Sequence, residues 1–159
     1  MQKLKLAVIV ALASIFYVPV ANAAVVTTTC GPLLKSVSKT NIQFFSSSSE
    51  LPVNIPGGVT VKVPSGETRC IRVRFSAVAN CPNSCFIRAI AGTNELNPAW
   101  VSNPLRFSSD ATGDGTAHSF EWVERVGTGE YVVKISFQTG NSSFVADIGP
   151  YTLTVETLE

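Results

Sequence analysis

Between Glu67 and Gly92 the chain reads ETRCIRVRFSAVANCPNSCFIRAIAG, and this stretch limits the fold more tightly than any other. Successive side chains of a strand point to opposite faces. Ile71, Val73, Phe75, Ala77 and Ala79 therefore line one face, and Arg72, Arg74 and Ser76 line the other. With Pro82-Asn83-Ser84 as the loop of a hairpin, Cys81 faces Cys85, Ala79 faces Ile87 and Ala77 faces Ala89. That register gathers the apolar set on one face, whereas a slip of one residue mixes it with the arginines. It also holds the two cysteines at a separation a disulfide can span.

The rest of the cysteine argument depends on the compartment. The chain opens MQKLKLAVIVALASIFYVPVANAAVV, with Lys3 and Lys5 before an uncharged run from Leu6 to Val18. Pro19 ends that run, and Ala21 and Ala23 supply small residues at the −3 and −1 positions of a cleavage site. This is the pattern of a secretory signal peptide spanning residues 1–23. The run falls short of the ~20 apolar residues a membrane-spanning helix needs. Export with cleavage after Ala23, to the periplasm or outside the cell, is the expectation. No cysteine follows the cleavage site directly, so no lipid anchor is expected.

All four cysteines, Cys30, Cys70, Cys81 and Cys85, lie beyond the leader. An even number in an exported chain implies two disulfides, in any of three connectivities. The register above selects Cys81–Cys85 and leaves Cys30–Cys70. The second bridge closes about 40 residues, worth about 3–4 kcal/mol in the chain-entropy model. Cys70 falls on the arginine face, so the bridge would strap the N-terminal segment across one end of the sheet. A four-cysteine zinc site is the rival, and an oxidising compartment argues against it. No cofactor and no metal is expected.

Residues 24–159 make a stretch of 136, a size that fits one domain with one core. Removing Lys3 and Lys5 takes the basic count from 12 to 10 against 11 acids. That balance gives no attraction to nucleic acid. The stretch is rich in Val, Ile, Thr, Phe and Ser, in short alternating runs broken by Gly, Pro and Asn. Strands at such intervals predict an all-β fold, an antiparallel β-sandwich of jelly-roll type with seven to nine strands. The readable runs are Val25–Thr29, Asn41–Phe45, Val59–Val63, a short piece at Leu105–Phe107, a strand within SSFVADIGP, and the closing YTLTVETLE. HSFEWVERVGTGEYVVKISF reads as a second hairpin on a four-residue loop, Gly127 to Glu130. It pairs Trp122 with Ile135 and Phe120 with Phe137, with Glu124 the misfit on an apolar face. The paired aromatic surface is core-building material.

Few residues offer chemistry. With the cysteines oxidised there is no thiolate nucleophile. His118 and Ser119 adjoin, yet neighbours in a strand face opposite ways, so they cannot act as a pair. No catalytic residue is assigned. Asp110 and Asp114, near two glycines in SSDATGDGT, form a weak calcium candidate whose spacing is also ordinary turn chemistry. Trp100 sits in a Pro/Asn-rich connection, where it either stacks on a sugar or partner, or closes the end of the sandwich. Arg72, Arg74 and Arg88, with Phe86 and Ile90 between them, form a second candidate face for an anionic ligand. The plainer reading is a face neutralised by glutamates. Asn141-Ser142-Ser143 matches a glycosylation acceptor.

The two long alternating segments, CIRVRFSAVANCPNSCFIRAIAG and AHSFEWVERVGTGEYVVKISF, resemble small exported bacterial proteins without an assigned activity. The Gly-Thr-Gly-Glu-Tyr-Val turn and the closing YTLTVE resemble the last strands of C1q and tumour-necrosis-factor jelly rolls, which implies packing into trimers. The expectation is a non-enzymatic module that binds a glycan or another protein. A homo-oligomeric structural or adhesive protein is the alternative, and a hydrolase built on the Asp110–His118 loop comes third.

Overall fold

The computed structural model describes residues 29–98, 105–108 and 115–159. They form eleven strands: β1 Leu33–Asn41, β2 Phe45–Ser47, β3 Val53–Asn54, β4 Val59–Val63, β5 Arg69–Asn80, β6 Cys85–Ala91, β7 Asn94–Glu95, β8 Leu105–Phe107, β9 Thr116–Val126, β10 Gly129–Thr139 and β11 Ala146–Leu158. No helix occurs among the described residues. The first sheet runs β1-β11-β5-β9, with β2 also on β11. The second runs β3-β10-β6-β7, with β4 also on β10 and β8 also on β6. Every strand pair is antiparallel, and the two sheets make a β-sandwich.

The inward faces are those the alternation predicts. Ile71, Val73, Phe75, Ala77 and Ala79 of β5 are buried, as are Ile87, Ala89 and Ala91 of β6 and Val133, Ile135 and Phe137 of β10. The pairing differs. β5 bonds to β11 and β9, while β6 bonds to β10, so the chain changes sheet between Asn80 and Cys85. Cys81 and Cys85 are both buried, and their disulfide clamps a corner of the sandwich rather than the mouth of a hairpin. The expected hairpin at residues 118–137 is likewise a corner. β9 pairs with β5, with Trp122 opposite Val73, and β10 pairs with β6, with Ile135 opposite Ala89. Thr128 fixes this corner: its hydroxyl accepts the Gly66 N–H at 2.9 Å and donates to the Pro64 carbonyl at 3.1 Å. A corner and a hairpin bury the same faces, so alternation cannot tell them apart.

Two further boundaries differ from expectation. β11 runs unbroken through Gly149-Pro150, where its register shifts and it passes from β2 to β1. Gly149 has φ +143°, and a Cβ there would collide with the Gln43 carbonyl, so glycine is required. β1 itself lies earlier than the expected Asn41–Phe45 strand. The second disulfide joins Cys30 to Cys70. The Thr29 carbonyl accepts from Arg125 Nη2 of β9 at 2.6 Å, and the Gly31 N–H donates to the Glu159 carbonyl at 2.7 Å. The N-terminal segment is thus strapped across one end of the first sheet, over buried Cys70.

Candidate functional site

β9 is the last strand of the first sheet, and its inward row runs His118, Phe120, Trp122, Glu124, Val126. Trp122 is fully buried, and exposure grows toward His118. β8 bonds to β6 at the margin of the second sheet and brings Phe107 across to β9. The Phe107 ring centroid lies 4.9 Å from that of His118 and 5.5 Å from that of Phe120. Phe120 stacks on Trp122 at 6.0 Å. Four rings thus close one side of the sandwich, with His118 and Phe120 half-buried and presenting part of their surface to solvent.

The polar atoms of this row are poorly served. His118 Nε2 and Trp122 Nε1 are buried without a hydrogen-bond partner among the described residues. Burial pushes the His118 imidazole below its ordinary pKa, so it favours the neutral ring. Glu124 does find a partner, the side-chain amide of Asn97 rather than an arginine. Asn97 also accepts the Val123 N–H on its carbonyl at 2.9 Å, which covers part of the free margin of β9. Ser119 faces the other way and shares a hydrogen bond with Ser76 at 3.2 Å. The adjacent histidine and serine are therefore on opposite sides of the sheet.

The arginines separate into two places. Arg72 and Arg74 lie on the outer face of the first sheet, where Glu156 sits between them, 3.4 Å from Arg72 Nε and 3.2 Å from Arg74 Nη1. Arg74 Nε also meets Glu121 at 2.8 Å. The hydrogen bond to Glu121 and the nearby Glu156 charge raise the Arg74 pKa further. Arg88 lies on the second sheet, with Nη1 3.4 Å from Glu95. The expected single face of three arginines does not form, because β5 and β6 belong to different sheets. Phe86 and Ile90 accompany Arg88 alone. All four cysteines are oxidised, which leaves no thiolate for zinc. Trp100, Asp110 and Asp114 lie outside the described residues.

Sequence reasoning treated Phe120 as buried cross-strand packing and gave Phe107 no role. It also passed over Phe44, which is 62% exposed while Phe45 packs edge-on against Phe137. Two adjacent phenylalanines in extended chain were the available signal, since one of them must point outward.

No family model matches this chain, and no curated protein matches it. Among solved structures it is similar to the PRD1 vertex protein P5, at 9% identity and a TM-score of 0.44 over 81% of this chain and 99% of that one. It is also similar to a carbohydrate-binding module from Cellvibrio mixtus lichenase 5A in complex with cellotriose, at 12% identity and a TM-score of 0.35 over 80% and 98%. A third is the EclA C-terminal domain, described as a sugar-binding protein, at 9% identity and a TM-score of 0.37 over 84% of each chain. All three likenesses are distant. The resemblance to C1q and tumour-necrosis-factor domains stays one of sequence pattern, and the turn that carried it is an inter-sheet corner.

Proposed function

We propose that residues 24–159 are a non-enzymatic binding module, exported to the periplasm or cell surface after cleavage behind Ala23, whose ligand docks on the ring cluster at β8 and β9. Two formed disulfides are compatible with export, and no helix among the described residues is long and apolar enough to cross a membrane. One observation carries the choice of site. His118 and Phe120 leave part of their rings open to solvent at the margin of the sandwich, packed against the buried Phe107 ring. Partly open aromatic rings suit a sugar, which offers C–H groups to stack on them. Trp100, five residues ahead of Leu105 in the chain, is kept as a second candidate ring from the sequence. In this reading Arg72, Arg74 and Arg88 are secondary, because carboxylates already engage them. A glycan array probed with the mature protein, then with Phe120→Leu and Trp100→Ala, tests the site. Loss of signal of about tenfold or more in both variants is expected from stacking contacts of this kind. Unchanged binding in both would remove the ring cluster from the site. A second reading, a homo-oligomeric structural or adhesive protein, is favoured by the open margin of β1.

A further inference from the structure

The first sheet ends on one side at β1, and no other strand of the described residues pairs there. A row of β1 backbone N–H and C=O groups therefore faces outward, ready to take another strand. Eight large apolar side chains are exposed among the described residues, and four of them bracket this margin. Leu33 and Leu34 stand at its start, and Ile42 and Phe44 lie just beyond its end. Ser36, Ser38 and Thr40 share the outer side with Thr152, Thr154 and Glu156 of β11, while Lys35, Val37 and Lys39 face the other way.

We propose that a second copy of this chain pairs antiparallel with β1, about a two-fold axis at Ser38. Antiparallel self-pairing admits few registers that keep inner side with inner side, and charge chooses between them. An axis at Val37 would set Lys35 directly opposite the partner's Lys39, a destabilising like-charge pair. An axis at Ser38 sets Lys35 opposite the partner's Asn41 and Lys39 opposite the partner's Val37. On the outer side Ser36 meets the partner's Thr40 and Ser38 meets the partner's Ser38, pairs that hydrogen-bond across strands. Leu34, at the register shift of β1, and Ile42, just past its end, add exposed apolar side chains near the two ends of the ribbon. Lysines on a sheet margin commonly serve to block pairing. Here they disfavour the Val37 register, where they stand directly opposite, while in the Ser38 register they meet only diagonally, Lys39 beside the partner's Lys35 and the partner's Lys39. The β9 margin is a poorer template, because Asn97 covers it at Val123.

Light scattering on the mature protein after size exclusion, loaded at about 100 µM, tests this, since a pair with Kd near 1 µM is then mostly assembled. The expected mass is twice that of one chain. Ile42→Asp, at a side chain 82% exposed and remote from the core, should return it to one chain with an unchanged circular dichroism spectrum. Ser38→Pro, which removes a backbone donor and stiffens β1, should do the same. The register is read by trapping: Ser38→Cys should give a dimer linked at position 38 on a non-reducing gel, and Val37→Cys should not. A wild-type mass of one chain, a dimer that survives both Ile42→Asp and Ser38→Pro, or trapping through position 37 in place of 38 would overturn the proposal.

Discussion

The first sheet has two margins, and they are finished in opposite ways. At β9 the margin is folded under. Trp122 is fully buried, Phe107 of β8 lies over His118 and Phe120, and Asn97 caps Val123. At β1 nearly every residue is exposed on both faces, and Val37 is the inward residue that packs against the core. The difference teaches that the two margins draw stability from different sources. β9 is held by its own buried rings. β1 is held by its ladder to β11 and by the strap that Cys30–Cys70 fastens across the end of the sheet.

Truncation should expose that contrast most strongly. Trp122→Ala removes a fully buried ring and is expected to cost about 3–5 kcal/mol in urea unfolding. Val37→Ala should cost about 1 kcal/mol or less, because Val37 is only half-buried and loses little contact. Equal losses at the two sites would break the comparison. Next in size is the strap. The Cys30→Ala/Cys70→Ala pair is expected to lower stability by about 3–4 kcal/mol. It should also raise hydrogen exchange in β1 before β9 responds; loosening of β9 first would mean the bridge serves the other margin.

The smallest effect is one of pH and belongs to β9. Burial holds the His118 pKa below its ordinary value, so the unfolded chain binds that proton more readily than the folded one. The contribution is complete above about pH 6.5, the ordinary imidazole value, and is lost as pH falls through the lower folded value. His118→Phe should flatten that acid-side slope and leave the stability of β1 as it was. A slope unchanged by His118→Phe would mean that another group titrates there.

How much of this was readable beforehand follows from what period-two patterning measures. It reports which face of a strand is buried, and β5, β6 and β10 carry enough apolar residues for that to be unambiguous. It does not report the neighbour. Cys81-Pro-Asn-Ser-Cys85 and the loop Gly127–Glu130 both read as hairpin turns and both proved to be corners, the first of which separates Arg88 from Arg72 and Arg74. β1 was invisible because Lys35, Val37 and Lys39 offer one apolar residue in its inward row, and its extended form is imposed by β11. Gly149-Pro150 read as the end of a strand and is a bulge within one. The disulfide pairing was legible, although the register used to derive it does not exist. Five residues closed by a bridge put the two sulfurs together at a corner as well as at a hairpin mouth.

The ring cluster exists only because β9 bonds to β5 and leaves its far side to β8. Cross-strand backbone NOEs measure that arrangement most directly. Contacts linking Trp122 with Val73 and Phe120 with Phe75 on one sheet, and Ile135 with Ala89 on the other, are the predicted result. Backbone contacts joining Trp122 to Ile135 and Phe120 to Phe137 would contradict the account, because they would restore the hairpin and dissolve the margin proposed to carry a ligand.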